Sequence, residues 1–213
     1  MTEIVPLQLA VEDSLSEAVL RALLRQSGRG FAVGQCYQRG GFGYLKKTIR
    51  GFNQAARGIP FLVLTDLDIY PCAPALVAEW LPVPRHPNLL FRVAVHEVES
   101  WLLADQEAIA RFLSIRKALI PTKPDQVARA KEALIELARN SRNRELRRDI
   151  VPPAGSTRKQ GPDYNGRLSG FIRDHWGLER ASRHSPSLQR TREVIVAFRP
   201  IWTGSANSQS EEE

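Results

Sequence analysis

The sequence predicts an α/β protein: a mostly parallel central sheet flanked by helices and followed by a helical, basic C-terminal extension. Three observations carry this reading. Short apolar runs alternate with stretches of helical periodicity over residues 4–105. Each apolar run is continuous, as expected of a strand covered on both faces. Beyond residue 105 the strand signal stops and the charge changes. Residues 1–110 hold 10 Lys/Arg against 11 Asp/Glu, whereas residues 111–213 hold 20 against 12, so the halves carry −1 and +8.

Residues 4–13, IVPLQLAVED, read as the first strand with a carboxylate-bearing turn at its end. SLSEAVLRALLRQ continues as a helix on which Leu15, Val19, Leu20, Leu23 and Leu24 recur at helical spacing. FAVGQCY (31–37) is a second short strand, and the glycine-rich RGGFGYLKK (39–47) punctuates the chain before a helix that runs to Ala56. IPFLVLTDLD is the third strand and APALVAEWL (73–81) a short helix. After the proline-punctuated PVPRHP, a fourth strand over 89–95 passes straight into a helix. PDQVARAKEALIELAR (124–139) predicts a single helix, with Pro124 opening it, Asp125 in its first turn, and Val127, Ala130, Leu134 and Leu137 as its apolar repeat. A Pro/Gly-rich loop spans 151–166, and RLSGFIRDHW and SPSLQRTREVIVAF close the chain as two helices. The expected organisation is an α/β unit over 1–110, the basic helical extension over 111–202 and a disordered acidic tail over 203–213.

With 213 residues, 43% of them hydrophobic, the chain can bury one sizeable core. Its apolar stretches fall far short of the roughly 20 residues of a membrane span and no signal segment is recognisable, so a soluble, cytoplasmic protein is expected. Cys36 and Cys72 are isolated, lack the paired spacing of a zinc site, and are expected to be small buried hydrophobes. Nothing resembling G-x-x-x-x-G-K-[ST] occurs, so any ATP dependence must come from a partner.

Acids stand where the strands give out: Glu12 and Asp13 after the first, Asp66 and Asp68 after the third, Glu97 and Glu99 after the fourth. In parallel α/β sheets ligands sit beyond the carboxyl ends of the strands. Asp66 and Asp68, two positions apart on an extended strand end, would point to one side and share a divalent cation, with a carboxylate from a neighbouring strand completing the cage. Acids gathered in this way are costly unless a cation neutralises them, and all-oxygen ligands favour Mg²⁺ or Mn²⁺ over zinc. In the basic half, RNSRNRELRR (139–148) packs five arginines into ten positions. Arg142, Arg144, Arg147 and Arg148, with Arg158 and Lys159 in the following loop, are the candidate nucleic-acid contacts. A solvated helical surface is the alternative.

Glu12 at a strand end followed by a helix, DLD at the end of a later strand, and VAVHEVESWLLAD (93–105) together resemble the Toprim fold, and in particular small OLD-like or Toprim-like nucleases of bacteria and phages. The resemblance covers residues 4–105. It implies a Mg²⁺- or Mn²⁺-dependent nuclease with Glu12, Asp66, Asp68 and Glu97 as catalytic acids and Glu12, Asp66, Asp68, Glu97 and Glu99 as metal ligands. The partners it implies are DNA or RNA and an ATPase of a defence locus, with homo-oligomerisation left open. OLD-type nucleases show E-G-x-[ST]-E where this chain has EDSLSE, so either Glu12 or Asp13 is the first acid. Glu12 is preferred, because Asp13 then suits helix capping. Two alternatives carry weight at this level: Glu99 faces solvent opposite Trp101, or the chain is a non-catalytic subunit that binds nucleic acid or an ATPase and carries a vestigial or regulatory metal site.

Overall fold

The structure, a computed structural model, describes residues 4–202, so the predicted acidic tail lies outside the described residues. The α/β half runs β1 (Val5–Ala10), α1 (Ser14–Gln26), β2 (Phe31–Tyr37), α2 (Gly41–Ala55), β3 (Phe61–Asp66), α3 (Ala73–Trp80), β4 (Leu89–Ala94) and α4 (Val98–Ala104). The four strands form one sheet in the order β2-β1-β3-β4, and every pairing is parallel. From β1 the chain goes first to β2 on one side and then returns to β3 on the other. The carboxyl ends of β1 and β3 therefore flank a topological switch point, where open α/β sheets leave a crevice for ligands.

Side-chain alternation divides the sheet between two cores. Leu7, Leu9, Leu62, Leu64 and Leu90 face α1 and α4, while Phe61, Val63, Leu89, Phe91 and Val93 face α2 and α3. The continuous burial expected of each strand holds for β3, which is central, but not for β2. That strand lies at the sheet edge and exposes Ala32, Gly34 and Gln35.

The basic half adds α5 (Gln106–Phe112), α6 (Ala130–Arg139), α7 (Arg144–Ile150), α8 (Tyr164–Asp174), α9 (Leu178–Ser182) and α10 (Pro186–Ala197). These helices pack onto the α1/α4 face, and one hydrophobic cluster runs from Val5 to Phe198. Every residue of α4 is buried. Its polar groups serve as ties: Trp101 Nε1 donates to Ser187 Oγ at 2.7 Å, and Trp176 Nε1 donates to the Trp101 carbonyl at 3.0 Å. At the end of α4, Asp105 accepts from Gly177 N at 2.8 Å and from Arg180 Nη2 at 2.7 Å.

The single helix predicted over 124–139 is interrupted. Pro124–Gln126 form a 3₁₀ turn and α6 begins only at Ala130. The cause is tertiary. Asp125, instead of serving its own helix, accepts from Ser185 Oγ at 2.6 Å and Ser187 N at 2.8 Å and so holds the start of α10. The five-residue α9 was not foreseen, being too short to show a period. The cysteines also depart from expectation. Cys36 is only half-buried, with its thiol pushed up to about 12 by burial and by Glu17, and Cys72 is exposed. Among the described residues no helix is long and apolar enough to cross a membrane.

Candidate functional site

Glu12, Asp13, Asp68 and Glu99 lie near enough to Asp66 at the switch point for their charges to act on it, and most of the strand-end acids also hold part of the fold. Glu12, half-buried just past β1, reaches across to β3. Its Oε1 accepts from the Thr65 hydroxyl and from the Asp66 backbone N at 3.0 Å. Asp66 ends β3, and its enclosed carboxyl accepts from Val98 N at 2.9 Å through Oδ1. That amide belongs to the first turn of α4, where backbone donors have no intrahelical partner. Glu97 does the same for another helix, its Oε2 accepting from Lys131 N in the first turn of α6 at 2.8 Å. Asp13 caps α1, accepting from Ser16 N at 2.8 Å as its place after the strand predicted.

Two expectations need correction. Asp68 is not an extension of the strand: β3 stops at Asp66, and Asp68 has φ +47°, in the left-handed region. The two aspartates are therefore not aligned by strand alternation, and Asp68 is exposed while Asp66 is half-buried. Backbone pairing fixes this turn, because Leu67 N and Asp68 N both donate to the His96 carbonyl, at 2.9 and 3.2 Å. Aspartate tolerates the left-handed conformation better than most residues, which suits it to this position. Glu99 does not face solvent opposite Trp101. It is 3% exposed and accepts from the Tyr164 hydroxyl at 2.9 Å.

The electrostatics follow from crowding and burial. Burial pushes the Asp66 carboxyl well above the usual range, and the charges of Glu99, Glu12, Asp68 and Asp13 push it in the same direction. Burial likewise raises Glu12, against hydrogen bonds from Thr65 and Asp66 that favour its ionised form. Glu99 is pushed up to about 7 by burial, while the charge of Lys131 and the Tyr164 hydrogen bond oppose the shift. Among the described residues no Lys or Arg forms an ion pair with Glu12, Asp66, Asp68, Glu97 or Glu99. Tyr164, Lys131 and Thr65 are the site neighbours that sequence reasoning missed. Tyr164 lies 65 residues from Glu99, so no local spacing signals it. Thr65 sits inside β3 but has no pattern of its own.

The donor chemistry suits Mg²⁺ or Mn²⁺, since every candidate ligand is a hard carboxylate oxygen. The geometry is not a finished cage. Among the described residues no three His, Cys, Asp or Glu side chains form a group placed to hold a metal ion. Glu12, Asp66 and Glu97 each commit one oxygen to a backbone amide, and Glu99 commits one to Tyr164. Asp68, exposed and without a hydrogen bond from its side chain among the described residues, is the acid most free to turn.

The basic candidates lie elsewhere. Arg142, Arg144, Arg147, Arg148, Arg158 and Lys159 are all exposed. Arg144, Arg147 and Arg148, with Arg139, line an open depression of about 500 Å³ beside the Val151–Ala154 loop. Part of this charge is neutralised locally, Arg139 by Glu136 and Arg148 by Asp149. Arg142, Arg158 and Lys159 do not line that depression.

No family model, curated protein or solved structure matches this chain.

Proposed function

We propose that the chain is a Mg²⁺- or Mn²⁺-dependent nuclease that hydrolyses nucleic-acid phosphodiester bonds, of the Toprim-like kind, working beside an ATPase partner. The observation that carries this reading is Asp66: an enclosed carboxyl at the switch point of a parallel sheet, raised by burial and by four neighbouring carboxylates, with no Lys or Arg paired to it among the described residues. Strain of this kind, concentrated where the fold leaves a crevice, marks functional sites more often than structural ones.

Glu12, Asp66 and Asp68 are the residues that would hold the ion. Mg²⁺ or Mn²⁺, when bound, supplies polarisation of a phosphoryl oxygen and a water of lowered pKa. The chain's own groups supply position and exclusion of solvent. The Asp66 amide fixes Glu12, Val98 N fixes Asp66, and Tyr164 keeps Glu99 turned inward behind them. Asp68, on its left-handed turn, is the acid presented to an incoming substrate. The arginines of α7 supply backbone affinity without sequence preference.

A second reading has its own support: three of the acids cap or bridge backbone amides and, among the described residues, no three form a group placed to hold a metal ion, as expected of architecture in a non-catalytic nucleic-acid- or ATPase-binding subunit. Incubation of the purified protein with supercoiled plasmid and with RNA in Mn²⁺ or Mg²⁺ separates the two. The nuclease reading expects metal-dependent nicking that Asp66→Asn and Asp68→Asn abolish. Binding without cutting, even with an ATPase supplied, sinks it and leaves the binding subunit.

A further inference from the structure

A depression of about 700 Å³ lies away from the strand-end acids, none of which lines it. It lies along β4, which among the described residues pairs with β3 alone and forms one of the two edges of the sheet. Three arginines from three different places converge on it: Arg85 from the loop before β4, Arg92 from β4 and Arg190 from α10. Among the described residues none of the three forms an ion pair with a carboxylate. Arg92 is half-buried and spends its Nε on the Thr191 hydroxyl at 3.3 Å, which leaves its terminal nitrogens for another acceptor. Its ordinary affinity for a proton is lowered by burial and then by the charges of Arg85 and Arg190. Holding like charges together is unfavourable until an anion enters, and a guanidinium offers paired donors that match phosphate oxygens.

Two features select the shape of the anion. A second depression of about 230 Å³ shares Arg85 and Arg92, so these two guanidinium groups stand between two hollows and can serve neighbouring phosphates. At the opposite end the groove is walled by Leu67 and His96, and the His96 carbonyl is the group bonded to Leu67 N and Asp68 N. An extended, repeatedly charged ligand fits such a track better than an isolated phosphate does.

We propose that Arg85, Arg92 and Arg190 form a phosphate-binding groove along the β4 edge of the sheet, and that its occupant is a nucleic-acid backbone led toward the Asp66–Asp68 turn. The direction of travel rests on the nuclease reading, whereas the groove itself does not. This surface is distinct from the arginines of α7.

The test measures binding in chelator, so that cleavage plays no part. A fluorescein-labelled mixed-sequence 20-mer, single-stranded and as duplex, is titrated with full-length wild type, with Arg85→Gln/Arg190→Gln, which changes only exposed side chains, and with Arg92→Gln. An Arg144→Gln/Arg147→Gln variant serves as comparison. The double variant at the groove is expected to bind at least tenfold more weakly at low salt, with a log–log salt slope smaller by about two, one per lost phosphate contact. Arg92→Gln is expected to weaken binding with circular dichroism unchanged. Unaltered binding by the groove variants, or loss confined to the α7 variant, overturns the groove and leaves the nuclease reading standing. Groove-dependent binding by a protein that never cuts does the reverse. Displacement of the oligonucleotide by polyglutamate at equal charge assigns the surface to an acidic peptide and overturns the proposal, as does failure of wild type to bind either oligonucleotide.

Discussion

Asp66 combines two jobs that usually fall to different residues, accepting a helix amide and contributing negative charge, and substitution separates them. Asp66→Asn retains an Oδ1 acceptor for Val98 N and removes the charge. In chelator it is expected to melt higher than wild type, by on the order of 1 kcal/mol, and to lose both cleavage and any Mn²⁺-dependent rise in Tm. Asp66→Ala leaves Val98 N without a partner and is expected to cost about 1–3 kcal/mol. Thermal melts of the pair, with and without millimolar Mn²⁺, check this, and a lower Tm for Asp66→Asn in chelator would mark the charge as structural. Glu99 gives a pH signature. Its folded carboxyl, near 7, lies above the ordinary 4.5, so the folded state binds the proton more tightly than the unfolded state does. The resulting stability is fully present below about pH 4.5 and is lost as pH rises through 7. Unfolding free energies from urea titrations should therefore fall between pH 5 and 8 by an amount on the order of 3 kcal/mol, and Glu99→Gln should flatten that slope. The placement of the acids just past the strand ends was legible in the sequence because strand ends announce themselves. The inward turn of Glu99 was not, because it depends on Tyr164, which arrives at the start of the distant α8.

At the level of elements, α1, β2 and the alternating scaffold were legible from apolar period alone. The helix predicted over 124–139 was not, since Asp125 is recruited by α10 and no local rule records that demand. Asp125→Ala leaves Ser187 N without its acceptor and is expected to destabilise by about 1–3 kcal/mol. α6 should be spared, because its own first turn is served by Glu97. Hydrogen exchange would show faster amides in α10 and unchanged ones in α6, and equal loosening of both would contradict the assignment. Glu97 offers a related comparison. Glu97→Gln keeps an acceptor for Lys131 N and should leave stability nearly unchanged, whereas Glu97→Ala should cost about 0.5–2 kcal/mol, as lost caps do. Retained cleavage in the Gln variant would assign Glu97 to architecture and remove it from the catalytic acids.

Across the whole molecule, the division between an acidic first half and a basic second half was visible from charge counts, but the packing that joins the halves was not. The cluster from Val5 to Phe198 mixes residues of β1, α1 and α4 with those of α8, α9 and α10, and apolar period shows which face of an element is buried without showing what buries it. Asn88, at the foot of β4, extends the same union to the end of the described chain: its side chain donates to the Ile201 carbonyl at 2.8 Å and accepts from Ile201 N at 2.8 Å. A fragment stopped at residue 110 would carry the whole sheet yet leave the apolar faces of α1 and α4 bare, and is expected to aggregate or to bind hydrophobic dye where the full chain does not. The same reasoning applies to a ribosome. The acids of β1, β3 and β4 emerge early, but α6 and α9, which cover α4, are made only afterwards. The nascent protein must therefore hold an open, greasy face until those helices have emerged, and only then can the site be completed.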